Sequence, residues 1–199
     1  MCYDAMPNWC HTSYTFVGEE KELKGLHDLM KGLEERSEPL VENGFGKAWL
    51  GCLVEALGRK WEDVRCRGDW DNLEFSGDML KFTTETAWSA ADEVMVLICE
   101  KYPSLGYHYY TEEPGMCIYQ TNDESGEYYP DRYYVDLCTE GGYCRDEYFT
   151  NLDDAIAWVG EMTEREFKSE DEINAYFDEI KKDNDDAYCY IHEIKISSE

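Results

Sequence analysis

Side chains that commonly perform catalysis are scarce in this chain. Its 199 residues include four histidines, at positions 11, 27, 108 and 192. Cys10 and His11 are adjacent on a predicted strand, so their side chains point to opposite faces and do not form a nucleophile and its base. The other strand histidines, His108 and His192, have tyrosine-rich neighbours and are expected to be hydrogen-bonded structural residues. The sequence therefore predicts no catalytic residue.

Two carboxylate patterns resemble metal sites. Asp131 together with Glu193 and Lys195 has the residue types of a metal-dependent nuclease, because Glu-x-Lys on a strand places both side chains on one face. The same spacing arises by chance in so acidic a chain, and a strongly anionic nuclease would repel its substrate. Residues 183–186 supply oxygen ligands but lack the glycine and the final glutamate of a calcium loop. We expect no metal and no other cofactor.

Negative charge is the dominant chemical property of the chain. It has 45 Asp and Glu residues against 18 Lys and Arg residues, a formal net charge of −27. A folded chain of this length has a diameter of about 40 Å, whereas the same charge occupies about 46 Å of duplex DNA. The protein is therefore about as anionic per unit length as DNA. We expect it to repel nucleic acids and anionic membranes and to attract basic proteins.

The acidic residues are concentrated between positions 112 and 186, where there are 23 Asp and Glu residues and 6 Lys and Arg residues. Three interpretations stay open: these residues form the solvated outer faces of helices, or they form a binding face, or the acidity is an adaptation to high salt. Under the second, the predicted partner-binding residues are the clustered carboxylates Glu112, Glu113, Asp123, Glu124, Asp153, Asp154, Glu170, Asp171 and Glu172.

Composition also predicts a folded protein in a reducing compartment. Hydrophobic residues make up 43% of the chain and aromatic residues 15%, which is too much apolar surface for a disordered acidic tail. The first residues lack the basic and apolar segments of a secretion signal, and no apolar run reaches membrane-spanning length. The nine cysteines are odd in number and form no Cys-x-x-Cys pair. We therefore expect reduced thiols and a cytoplasmic location.

Hydrophobic periodicity predicts an α+β fold with a mostly antiparallel sheet. Strands are predicted at 11–17, 62–67, 72–75, 79–88, 107–111, 116–121, 128–137, 143–149 and 188–196. Helices are predicted at 19–36, 47–57, 89–102, around 152–159 and around 173–180. Capping-box spacing at Thr150/Asp153 and Ser169/Glu172 marks the starts of the last two. The elements divide into a domain of residues 1–137 and an acidic β-α-α-β extension, 138–199, expected to pack as one continuous domain.

Three short motifs occur in order along the first domain: Met-Pro-Asn-Trp-Cys at 6–10, Lys-Ala-Trp at 47–49 after a Gly-Phe-Gly turn, and Thr-Ala-Trp-Ser at 86–89. Together they resemble the YubB-type ferredoxin-like family of plasmid and phage proteins, over about residues 6–136. The resemblance implies a ferredoxin-like α/β sandwich without an iron–sulfur cluster, and a gene carried on mobile elements. It implies no activity, because the family has none established.

Two departures from that family pattern stand out. The family usually places prolines after its Trp-Ser, where this chain has Ala90 and Ala91, and the acidic extension is additional. The matched positions are expected to be structural, through core packing of the indoles and bracing of a turn by the asparagine. These positions are Asn8, Trp9, Trp49 and Trp88.

The charge and the resemblance lead to one expected function and two alternatives. We expect a non-enzymatic accessory protein of mobile elements that binds a basic, nucleic-acid-handling protein by imitating nucleic acid, without binding nucleic acid or membranes itself. The first alternative is a ferredoxin-like domain that binds a small molecule or peptide, or is catalytic, with a cleft lined by Tyr107, Tyr109, Tyr119 and Tyr133. The second is a homo-oligomer built through an exposed sheet edge, the oligomeric state being left open.

Overall fold

The structure is a computed structural model that describes residues 7–182, 184 and 186–197. The chain forms two compact units, one ending at Asn122 and the other starting at Asp123. The predicted α+β class with mostly antiparallel sheets is confirmed. The boundary lies earlier than the predicted 137/138, because the strand that contains Leu137 pairs with two strands of the second unit.

The first unit is built on an antiparallel sheet. Its strands are β1 (Trp9–Val17), β2 (Gly68–Phe75), β3 (Met79–Ala87), β4 (Gly106–Glu113) and β5 (Ile118–Thr121), and its helices are α1 (Glu20–Glu34), α2 (Leu50–Leu57) and α3 (Asp92–Lys101). Within this unit the strands pair in the order β2-β3-β1-β4-β5, and each pair is antiparallel. This topology is compatible with the expected sandwich, since a β-α-β-β-α-β chain places β3 between β1 and β2.

One face of this sheet and the three helices enclose the first core. On β1, Tyr14 and Phe16 point into this core, and the Phe16 ring stacks on Phe82 of β3 with centroids 5.7 Å apart. Helix α1 buries the residues that its periodicity predicts, at i, i+3, i+7 and i+10. They are Leu23, Leu26, Met30 and Leu33.

Two predictions for the first unit are wrong in local detail. The predicted strand at 62–67 is instead a 3₁₀ turn, Trp61–Asp63, whose first N–H donates to the Glu55 carboxylate at 3.0 Å. Helix α3 begins at Asp92, after Ala91 in the N-cap position, and not at Ser89. The Ser89 hydroxyl donates to the Ala90 carbonyl and does not cap the helix.

The second unit has a three-stranded sheet covered by two helices. Its elements are β6 (Tyr133–Cys138), β7 (Cys144–Phe149), α4 (Leu152–Thr163), α5 (Glu170–Ile180), β8 (Tyr188–Glu193) and the two-residue β9 (Lys195–Ile196). Strand β6 lies between β7 and β8 and is antiparallel to each of them. The unit is therefore β-β-α-α-β over these elements and not the predicted β-α-α-β, since β6 belongs to it.

Apolar side chains from one sheet face and both helices form the second core. Val135 and Leu137 of β6 are buried against the inner faces of the helices. Ser169 caps α5 by accepting the Glu172 N–H, as predicted. Helix α4 is capped by Asn151, which accepts the Asp154 N–H, and not by Thr150. The side-chain carbonyl of Asn151 accepts a free N–H group of the first turn, the role that was predicted for the Thr150 hydroxyl.

A disulfide joins Cys138 and Cys144. The two residues lie directly opposite each other in the β6–β7 register, at the end of the hairpin. The expectation that every cysteine is a reduced thiol is therefore wrong for this pair. Their separation of six positions matches no motif, and only the pairing of the strands brings the sulfurs together. Cys10, Cys52, Cys66 and Cys189 are buried thiols.

Removing the Phe82 ring tests the first core. Phe82 is 1% exposed and contacts Tyr14 and Phe16. We expect Phe82→Ala to lower the free energy of unfolding by about 3–5 kcal/mol, through lost burial and the cavity left behind. Urea denaturation measures this change. Val96→Ala, on the exposed side of α3, is the control and should change stability by less than about 0.5 kcal/mol. Similar effects for the two variants would contradict the assignment of this core.

The disulfide is tested by alkylation followed by mass spectrometry. In denaturant without reductant we expect Cys138 and Cys144 to stay unmodified, and after reduction to be modified. Reduction should lower the free energy of unfolding by about 2 kcal/mol, because the loop that it releases is short. The stability of a Cys138→Ser/Cys144→Ser variant should not respond to reductant. Alkylation of both residues before reduction would show that the bond is absent.

Candidate functional site

Two of the nine predicted partner-binding carboxylates are buried. Glu113 is 2% exposed, and its two oxygens accept the N–H groups of Gly115 at 2.9 Å and Met116 at 2.8 Å. The side chain thereby caps the 3₁₀ turn Pro114–Met116. It cannot contact a partner, so the predicted binding role of Glu113 is wrong. Burial of this carboxylate is tolerated because hydrogen bonds from backbone N–H groups replace those that it would form with water.

Asp123 is the second buried carboxylate. It is 1% exposed and accepts the N–H of Tyr128 at 2.6 Å, the N–H of Tyr129 at 2.9 Å and the Ser125 hydroxyl at 2.7 Å. Burial alone would raise the pKa of Asp123, but its hydrogen bonds together lower the pKa to about 2. Asp123 therefore organises the loop that follows it and is not a partner contact.

The remaining predicted carboxylates lie at or near the surface. Glu112 is half-buried and accepts the Tyr110 hydroxyl at 3.0 Å, and Glu124 is exposed in the loop after Asp123. The other five occupy the first turns of two helices, where negative side chains are favoured by the helix dipole. They are Asp153 and Asp154 in α4 and Glu170, Asp171 and Glu172 in α5.

In those first turns, some carboxylates accept a hydrogen bond from a neighbouring residue and others do not. Asp154 accepts the Asn151 side-chain amide at 2.8 Å, and Glu172 accepts the Lys168 N–H at 2.8 Å. Asp153, Glu170 and Asp171 form no hydrogen bond or ion pair through their carboxylates with another residue that the structure describes. Within the helix first turns, these three are the predicted residues whose charge is available to a partner, and the exposed Glu124 adds a fourth in the loop.

The second unit is the more anionic of the two. Residues 123–198 include 22 Asp and Glu residues against 7 Lys and Arg residues, a net charge of −15. The lysines and arginines that it has are partly engaged: Lys182 pairs with Glu179, and the Arg132 guanidinium donates to the Asp123 carbonyl at 2.9 Å. The unit therefore presents a surplus of negative charge that its own cations do not neutralise.

The sequence did not predict a row of three carboxylates and one histidine in the first unit. The register places Asp69, Glu85, His11 and Glu112 side by side across β2, β3, β1 and β4. Burial, followed by the neighbouring charge of Glu85, raises the pKa of Asp69. The residues are far apart in sequence, so only strand register could have identified the row. Among the described residues, no group of three or more His, Cys, Asp or Glu side chains could hold a metal ion.

The family-matched positions have different environments. Trp49 is 6% exposed and packs edge-on against Trp61 with centroids 5.1 Å apart, as core packing predicts. Trp9 and Trp88, in contrast, are 43% and 39% exposed, so core packing is wrong for them. Asn8 accepts the Trp88 N–H on its backbone carbonyl at 2.9 Å, which braces the start of β1.

The residues of the tyrosine-cleft alternative are divided between the two units. Tyr107 and Tyr109 pack around Tyr14 in the first core, and Tyr119 is buried. Tyr133 packs against the second core. Within either unit, therefore, the four rings do not surround a common cleft.

The described hydrogen-bond partners of the Cys10 sulfur are threonine hydroxyls, which do not activate it as a nucleophile. Its sulfur lies 3.1 Å from the Thr111 hydroxyl in the buried face of the first sheet. Burial raises the pKa of the Cys10 thiol, so the thiolate is disfavoured. His11 is exposed on the opposite face, as the alternation of the strand predicts.

Comparison with known proteins gives no relative. No family model matches the chain, and no curated protein and no solved structure matches it. The resemblance over residues 6–136 therefore stays a prediction. No helix in the described ranges has the length and apolar character needed to cross a bilayer.

The structural role of Asp123 gives a pH-dependent prediction. Because its pKa is lowered from 3.8 to about 2, its ionised form contributes stability that is complete above pH 3.8 and is lost as the pH falls through 2. We expect Asp123→Asn to lower the free energy of unfolding at neutral pH by about 2 kcal/mol. The difference from wild type should shrink towards pH 2. Denaturant unfolding at several pH values measures it, with the exposed Asp153→Asn as control. A difference independent of pH would contradict this role.

Proposed function

We propose that this protein is a non-enzymatic accessory protein of mobile genetic elements that binds a basic, nucleic-acid-handling protein through the acidic surface of its second unit. Its carboxylates stand in for nucleic-acid phosphates in that interaction. The mobile-element origin rests on the resemblance of residues 6–136. The partner class rests on charge, since a surface this anionic attracts cationic proteins and repels nucleic acid.

One observation carries the proposal. Asp153, Glu170 and Asp171 occupy helix first turns, are not neutralised by a described lysine or arginine, and belong to a unit of net charge −15. A purely solvated surface needs far less charge, because a net charge of about 2–8 keeps a small domain soluble. The excess is accounted for if a cationic partner neutralises it.

Helix ends are suitable supports for such a surface. A carboxylate in the first turn is stabilised by the helix dipole, so its charge is tolerated there without a neighbouring cation. Each exposed ion pair contributes at most about 1 kcal/mol. Affinity must therefore come from many pairs acting together, and it should fall steeply as salt screens them.

The experiment captures partners from host lysate on the immobilised full chain. After low-salt and moderate-salt washes, the bound protein is challenged with duplex DNA and identified by mass spectrometry. We expect retention of one basic nucleic-acid-binding protein that duplex DNA displaces. Asp153→Asn/Glu170→Gln/Asp171→Asn should reduce retention by about tenfold, since three pairs of a few tenths to 1 kcal/mol are lost.

The control variant removes the same amount of charge from the first unit. Glu35, Glu38 and Glu42 are exposed, and their simultaneous replacement by glutamine should leave retention nearly unchanged. A diffuse mixture of proteins lost at moderate salt would contradict the proposal. Equal losses for the two triple variants would show that net charge, and not the second unit, controls binding.

A further inference from the structure

The outer face of the second sheet carries an ordered array of rings and carboxylates. The register aligns three rows across β7, β6 and β8. They are Tyr148–Tyr134–His192, Asp146–Asp136–Tyr190 and Cys144–Cys138–Tyr188. The alternate residues of β6 and β8, such as Val135 and Cys189, face the opposite way into the core. We call these nine residues the outer array.

Two adjacent tyrosines form the open side of the outer array. Tyr190 is 48% exposed, and its ring stacks on Tyr188 with centroids 5.4 Å apart. The Tyr188 hydroxyl donates to the Asp136 carboxylate at 3.2 Å. The rings and the carboxylate are therefore held in a fixed mutual arrangement before any ligand arrives.

The centre of the outer array contains two directly opposed negative charges. Asp136 and Asp146 are a register pair on neighbouring antiparallel strands, and like charges in this position destabilise a sheet. Neither aspartate lies within 4.0 Å of a lysine, arginine or histidine nitrogen among the described residues. His192 does not neutralise the pair near pH 7, because burial lowers its pKa despite the charge of Asp136.

The disulfide holds this unfavourable pair in place. Cys138 and Cys144 are the next pair on the same face, so the covalent bond fixes the two strands one row away from the opposed aspartates. Like charges in this position cost stability. The Tyr188 hydroxyl gives Asp136 a hydrogen bond, but among the described residues no cation offsets the repulsion. A cation bound between the carboxylates would supply that compensation.

Rings of this unit already accept cations. The Lys181 ammonium lies 5.1 Å from the centroid of Tyr190, and the Arg165 guanidinium lies 4.3 Å from that of Tyr176. Positions this close to a ring are attractive for a positive charge. The outer array thus combines two stacked tyrosine rings, one of which also contacts the Lys181 ammonium, with a carboxylate pair beside them.

We propose that Asp136, Asp146, Tyr188 and Tyr190 form a receptor for an arginine side chain of the basic partner. This inference rests on the proposed function and locates its specific contact. Arginine suits the site better than lysine, because a planar guanidinium stacks on a tyrosine ring and can donate to two carboxylates at once. A single-stranded nucleic acid could stack its bases on the same rings, but the aspartate pair would repel its phosphates.

The test is calorimetric titration of the full chain with peptides of nine arginines or nine lysines. We expect the arginine peptide to bind more tightly. Asp136→Asn/Asp146→Asn should weaken it by about tenfold, through loss of charge-assisted hydrogen bonds. Tyr190→Leu should weaken it by about fivefold, as removal of one cation–π contact implies. Tyr190→Phe keeps the ring and should bind like wild type.

The matched control is Glu35→Gln/Glu38→Gln, which changes the net charge equally at exposed positions of the first unit. It should weaken the arginine peptide by no more than about twofold. If it has the same effect as Asp136→Asn/Asp146→Asn, and Tyr190→Leu has none, the receptor is overturned while general charge-driven binding stands. Failure of the wild type to bind either peptide at low salt would contradict the proposed function itself. Tighter binding of an oligothymidine than of the arginine peptide would overturn the receptor in favour of a nucleic-acid site.

Discussion

Antiparallel register is the constraint on which both units depend. Strand β1 is paired on both sides in the first sheet and β6 on both sides in the second. Because side chains alternate across a strand, each register commits one face to a core and the other to solvent. Tyr14 and Phe16 enter the first core while His11 faces solvent, and Val135 enters the second core while Asp136 does not. A slip of one residue would bury the carboxylates.

The acidic residues have two distinct physical roles. Glu113 and Asp123 are buried and accept backbone N–H groups, so their charge stabilises local turns. Asp153 and Asp171 favour helix starts and leave their charge outside. Net charge alone does not separate these roles, since hydrogen bonding decides whether a carboxylate is structural or accessible. Only the accessible carboxylates count towards the charge that the second unit can present to a partner.

The outer array refines the idea of a phosphate mimic. In the proposed function, exposed carboxylates at the helix starts steer the partner, an effect that is long-ranged and tolerant of geometry. Opposed aspartates flanked by stacked tyrosines instead require a ligand of definite shape, because rings and carboxylates favour a planar cation. The two features would act in sequence, first in attracting a basic surface and then in selecting an arginine on it.

The sequence by itself determined the class of fold, the anionic character and several elements. The spacing of Leu23, Leu26, Met30 and Leu33 identified α1, and Ser169 with Glu172 identified the start of α5, because these signals lie within a few turns of the chain. Only the tertiary structure decided which residues meet across strands: the Cys138–Cys144 disulfide, the Asp136–Asp146 pair and the unit boundary after Asn122. It also decided that Glu113 and Asp123 are buried while Trp9 and Trp88 are not. Register and burial depend on long-range pairing, which local residue patterns do not encode.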